Sequence, residues 1–254
     1  MNAPVNYILQ LADTALILSH RNSEWCGHGP VLEQDIAITN ISLDLLGQAR
    51  YLYQHAASLI NETNPEALAT EDSLASFRNE REFRNLLICE LPRGDWALTC
   101  LRQFFVSAYH QSLYSRLEKS KDTQLAAIAS KSLKEVKYHL KWSAEWVVRM
   151  GNGTEESLHR IKEALEQLWP YTGEMLLPSE QEESAAANGT GTDPKEIRKE
   201  WFKMIQEVFE EAGLTVPENV FMQTGGKKGV HTENLGYILT ELQYMQRAFP
   251  GSEW

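Results

Sequence analysis

The chain has 254 residues, is 43% hydrophobic and 23% charged, and carries a formal net charge of −11. That length and apolar share can build a sizeable core, and residues 1–254 are read as one large globular domain. A uniformly acidic surface repels nucleic acid and anionic membrane, so neither is expected as a partner.

The first helix is expected over residues 5–22, where Gln10 and Asp13 interrupt an apolar stretch. Those two polar residues, and the lack of a preceding basic residue, speak against a signal peptide. No apolar run reaches the ~18 residues that a membrane span needs. A second helix is expected over 30–61, with Pro30 near its first turn and Ile38, Ile41, Leu45, Leu52, Ala56 and Leu59 on one stripe. A third begins after Asp72 and Ser73 and ends before Pro92. A fourth follows Gly94-Asp95 to about 119, a fifth spans 122–150, and a sixth covers 154–173. Residues 178–193, PSEQEESAAANGTGTD, are polar and acidic and are expected to form an exposed, mobile loop. Asp193-Pro194 opens a helix to 212, GGKKG at 225–229 is a loop, and Thr232 caps a last helix to 249. Strand alternation is absent and no short repeat occurs, so the expected fold class is all-α, a bundle of long antiparallel helices. Cys26, Cys89 and Cys100 are scattered without a C-x-x-C pair, which suggests reduced thiols in the cytoplasm.

Two helices carry polar columns at spacing i, i+4, i+7, i+11: Asp44, Gln48, Tyr51, His55 on one and Glu135, His139, Trp142, Trp146 on the other. They echo the carboxylate and histidine sets of ferritin-like di-iron bundles. Such a site takes a Glu from each of two helices and Glu-x-x-His from each of the others, because residues three apart share a helix face. Three features oppose a metal here. The pairs are four apart, Gln48 stands where a histidine is needed, and the middle of the fourth helix, LTCLRQFFVSAY, has no carboxylate. We expect structural polar columns, no metal ligands and no catalytic residues in this chain.

Three long stretches point to a family: EWCGHGPVLEQDIAITNISLDLLGQAR (24–50), LKEVKYHLKWSAEWVVRMGNGT (133–154) and TGGKKGVHTENLGYILTELQYMQRAFPG (224–251). They closely resemble the C-type, structural subunits of bacterial phenylacetyl-CoA epoxidases, multicomponent monooxygenases of aerobic phenylacetate breakdown. The likeness covers nearly the whole chain and is poorest at 178–193. The resemblance implies a ferritin-like helical bundle with additional helices. It implies a non-catalytic structural role beside a homologous subunit that holds the di-iron site. It also implies small subunits and a reductase that takes electrons from NADPH. No cofactor is then expected in this chain itself.

Arg78, Arg81 and Arg84, at steps of three, make a loose basic edge that suits coenzyme A phosphates, or else pairs with Glu80 and Glu82. The resemblance implies acyl-CoA contact at Glu82, Phe83, Arg84 and Asn85, with a second contact at Glu183, Ser184 and Ala185. GGKKG lacks phosphate-loop spacing and reads as a close-packing connector at a subunit interface. His139 beside Glu135 reads as a buried histidine held by a carboxylate, and His28 as a loop hydrogen-bonder. Two other functions stay open at this stage. One is a di-iron oxygenase subunit in its own right; the other is a helical scaffold that never touches substrate.

Overall fold

A computed structural model describes residues 3–252. Among them the regular structure is entirely helical. The long helices are α1 (Ala3–Ser23), α2 (Leu32–Thr63), α5 (Trp96–Leu117) and α6 (Thr123–Gly151). The shorter ones are α3 (Glu71–Ser76), α4 (Leu87–Glu90), α7 (Glu155–Leu168), α8 (Glu180–Asn188), α9 (Pro194–Ala212) and α10 (Glu233–Ala248). Helix α1 packs on α2, α5 on α6, and the two pairs meet where α2 faces α6. This is a ferritin-like four-helix bundle. Helices α7 and α9 lie on the α5–α6 side, α8 on α1, and α10 on α3 and α4.

Local chemistry starts and stops these helices. Asp95, Asp122, Thr154 and Asp193 accept hydrogen bonds from backbone amides of the first turns of α5, α6, α7 and α9. Gly213, at φ +65°, ends α9 in the left-handed region that glycine tolerates. Where α1 crosses α2, Ser19 and Ser42 each donate to the other's carbonyl, at 2.8 and 2.6 Å, so two small residues let the backbones approach. Helix α5 is buried around nearly its whole circumference, which is why its sequence shows no polar face.

Two expectations need correction. The third helix does not run from 73 to 91. Helix α3 stops at Ser76, a 3-10 turn covers Glu80–Glu82, and residues 83–86 are extended. The amides of Arg84 and Leu86 bond to Asp13 and Thr14 of α1 instead of to helical carbonyls. Tertiary partners thus replace the local ladder. The stretch 178–193 is also not a loop throughout, because α8 occupies its centre. Ser179 and Glu182 form a reciprocal capping box, and Gly189 at φ +76° terminates the helix.

Candidate functional site

The two polar columns face each other across α2 and α6 in antiparallel register. His139 Nε2 lies 2.9 Å from Asp44 Oδ2, and Gln48 Nε2 donates to Glu135 Oε2 at 2.9 Å. Lys131 Nζ donates to the Tyr51 hydroxyl at 2.9 Å, and His55 Nε2 sits 2.7 Å from Asp122, the N-cap of α6. At the other end Gln34 Oε1 accepts from both Trp142 and Trp146, at 3.1 and 2.8 Å. The columns are therefore two sides of one ladder, joined directly at Asp44–His139 and Gln48–Glu135.

The ladder does not fit a di-iron centre. The Gln48 side chain is an uncharged amide, a poor ligand for iron, and it donates to Glu135. Helix α5 offers His110 and Tyr114 to this region, stacked at 5.2 Å, and no carboxylate. Burial pushes His110 down to about 3, so it is neutral, and raises the Tyr114 phenol. Among the described residues no three His, Cys, Asp or Glu side chains gather as a metal cluster would require. A groove of about 210 Å³ opens over the middle rungs, between Leu43, Gly47 and Ser132.

The residues tied by resemblance to acyl-CoA sit away from this ladder, in two segments anchored one turn apart on α1. Asp13 accepts from the Arg84 amide at 2.8 Å, while Gln10 donates to Glu182 at 2.8 Å and accepts from Ser179 at 3.1 Å. Within the first segment, Phe83 and Asn85 are buried and Glu82 is exposed. Arg84 is half-buried, and its Nη1 donates to the Arg81 and Phe83 carbonyls at 2.7 Å each. No carboxylate lies within ion-pair distance of the Arg81 or Arg84 guanidinium among the described residues. Within the second segment Glu183 is exposed, Ser184 half-buried and Ala185 buried. Arg78 departs from the expected basic edge: it is buried, paired with Asp13, and lies over the Phe83 ring at 4.3 Å. It sits inside because residues 77–82 leave the helical path.

The GGKKG connector joins the two segments within this chain. The Gly225 amide donates to Glu174 Oε1 at 2.7 Å, and Glu174 Oε2 accepts from the Leu87 amide at 2.9 Å. A carboxylate of the chain itself thus fills the place a phosphate would take in a phosphate loop. Lys227 is buried, with Nζ 2.9 Å from both oxygens of Glu182. A Cβ at Gly226 would come within 2.2 Å of the Asn85 carbonyl, so only glycine permits that approach. Beyond the loop, His231 Nδ1 faces Glu90 at 3.2 Å and Nε2 faces the Phe83 carbonyl at 3.0 Å. Both nitrogens meet acceptors, which suits the imidazolium form. Burial alone would depress His231, but its hydrogen bond and Coulombic attraction to Glu90 raise it. Burial likewise raises Glu90 against the donors around it.

Sequence reasoning missed Glu182, Lys227, His231 and Asp13. The S-x-x-E at 179–182 is a capping-box signal that the acidic composition masked. Asp13 was visible as a carboxylate inside an apolar helical run. Nothing local marks Lys227 or His231 as buried.

The comparisons with known proteins agree with this architecture. Residues 1–254 match the family described as "Phenylacetic acid catabolic protein". The chain is 45% identical over 254 residues, covering 100% of both sequences, to the C subunit of the 1,2-phenylacetyl-CoA epoxidase of Escherichia coli (strain K12). No described helix is long and apolar enough to cross a membrane. A helical bundle matched over its full length by this family and by a relative 45% identical to it, the chain belongs to the phenylacetic acid catabolic protein family.

Proposed function

We propose that this chain is the non-catalytic structural subunit of a cytoplasmic phenylacetyl-CoA epoxidase. It packs against a homologous subunit that holds the di-iron centre, in a complex completed by small subunits and an NADPH-dependent reductase. Ring epoxidation belongs to that partner's iron, and this chain supplies position and shape. The observation that carries the reading is the ladder, in which Gln48–Glu135 and Asp44–His139 bond to one another. The full-length relative, named as part of an epoxidase, supports it.

The face assigned to the catalytic subunit is the outer side of α2. Leu32, Ile36, Leu43, Leu46 and Tyr51 are exposed there, with Tyr138 across on α6, and Leu32 is 72% exposed. Leu32 and Leu46 are two heptads apart, and Ile36 and Leu43 one, a period that suits a docking helix. Gly47 lies in the stripe with nothing near the place of a Cβ, so a partner backbone can come close. Together these exposed side chains form an apolar stripe of the kind that marks a protein interaction site.

Substrate contact is assigned to half-buried Arg84, whose guanidinium has no carboxylate partner among the described residues, beside exposed Arg81. Of the other residues assigned to that contact, Phe83, Asn85 and Ala185 are buried, Glu82 and Glu183 exposed and Ser184 half-buried. The burial of three of these seven residues favours the second reading, a scaffold without substrate contact. The first test is the iron content of the chain purified alone from iron-replete medium. Well under one iron per chain is expected, and two per chain with a carboxylate-bridged spectrum overturns the proposal.

A further inference from the structure

We infer that residues 225–231 form a strap that sets the spacing of the two acyl-CoA segments, with Lys227 and His231 as its positioning residues. The inference rests on the substrate-contact reading above and extends it to residues with no place in that reading. At one end Lys227 Nζ reaches both Glu182 oxygens at 2.9 Å and the Leu177 carbonyl at 2.9 Å. Glu182 is the third residue of α8 and directly precedes Glu183, Ser184 and Ala185. At the other end His231 Nε2 donates to the Phe83 carbonyl at 3.0 Å, inside the 82–85 segment. Between the two, Gly226 lies against the Asn85 carbonyl and Gly229 against Arg81 and Arg84. A Cβ at Gly229 would come within 2.4 Å of the Arg81 carbonyl and 2.5 Å of Arg84 Nη1. One short segment therefore touches both substrate segments, while Gln10 and Asp13 of α1 hold them from behind.

The chemistry favours positioning over bulk stability. A buried ion pair often adds little stability over apolar residues of the same volume, because desolvating both charges offsets their attraction. What the Lys227–Glu182 pair adds is direction, since three donors on one ammonium are satisfied at fixed angles. A shift of about 1 Å in such a frame is enough to weaken the hold on a ligand. The strap, through Gly225, Lys227 and exposed Lys228, also walls a cavity of about 250 Å³ with Leu177, Pro178 and Ser179, the residues that lead into α8.

The test is steady-state kinetics of the complex assembled with its partner subunits, using phenylacetyl-CoA. Lys227→Met is expected to raise KM about fivefold with kcat within about twofold and co-elution with the partner intact. Lys227→Arg, which keeps donors toward Glu182, is expected to restore most of the loss. If Lys227→Met does not fold, His231→Gln is measured in its place, with the same expected rise in KM. Arg84→Glu separates the two levels of the argument. An unchanged KM for Arg84→Glu overturns the substrate-contact reading and the strap with it. A raised KM for Arg84→Glu beside an unchanged KM for the strap variants overturns the strap alone. Equal loss of kcat and assembly in Lys227→Met, unrelieved by arginine, also overturns it.

Discussion

Arg78 and Asp13 show how one buried residue pair organises several elements. Asp13 of α1 accepts from the Tyr53 hydroxyl at 2.6 Å, from the Arg84 amide at 2.8 Å and from Arg78. Arg78 in turn donates to the Leu74 and Glu82 carbonyls. Burial alone would lower the Arg78 guanidinium, but the negative charge of Asp13 beside it raises it, so Arg78 keeps its positive charge. Removing the cation leaves a carboxylate with no counter-charge at the centre of the α1–α2 packing. Arg78→Met is expected to destabilise the fold by about 3–5 kcal/mol in urea denaturation. Adding Asp13→Asn should recover part of that loss, because the stranded charge is then gone. Recovery would separate the electrostatic cost from lost packing over Phe83.

The 225–231 strap ends on His231, which ties its stability to protonation. His231 and Glu90 both have folded pKa values raised above their ordinary ones. A raised folded pKa contributes stability that is complete below the unfolded value and is lost as pH climbs through the folded one. For His231 that window opens at about 6.5 and extends upward. Thermal stability is therefore expected to fall as pH rises above the ordinary histidine range. His231→Gln should flatten that part of the profile. The charged groups nearest the imidazole are Glu90 on α4 and Asp13 on α1, and both favour its protonated form. A Tm that rises from pH 6.5 to pH 9 in the unmodified chain would contradict the assignment.

At the scale of the molecule, α2 serves two surfaces at once. One side supports the α1 contact and the polar ladder; the other leaves Leu32, Ile36, Leu43 and Leu46 exposed. Leu43→Glu is expected to abolish co-elution with the catalytic subunit while changing the Tm of the isolated chain little, since Leu43 is 59% exposed. Self-association of the isolated chain through the same face, lost in Leu43→Glu without effect on co-elution, would assign the stripe to a second copy instead. Retained co-elution would move the interface elsewhere. Tyr237 and Tyr244 of α10 are also exposed.

Much of the architecture was legible in the chain alone, because helix-forming periodicity and caps are local. The bounds of α1, α2, α5, α6, α9 and α10 fall within about two residues of the expected ones, where Asp95, Asp122 and Asp193 mark starts that act through adjacent backbone. The amide at Gln48 and the lack of a carboxylate along α5 were also readable, since both are matters of composition. What only the tertiary structure decided was pairing between distant residues. Spacing placed Asp44, Gln48, Glu135 and His139 on two faces, but their meeting rung by rung depends on how α2 crosses α6. The same holds for residues 77–86, where Asp13 and Thr14 of α1 supply hydrogen bonds that a helix would have supplied itself. Helical signals are written within four residues, whereas the burial of Arg78, Lys227 and His231 depends on carboxylates 65, 45 and 141 positions away.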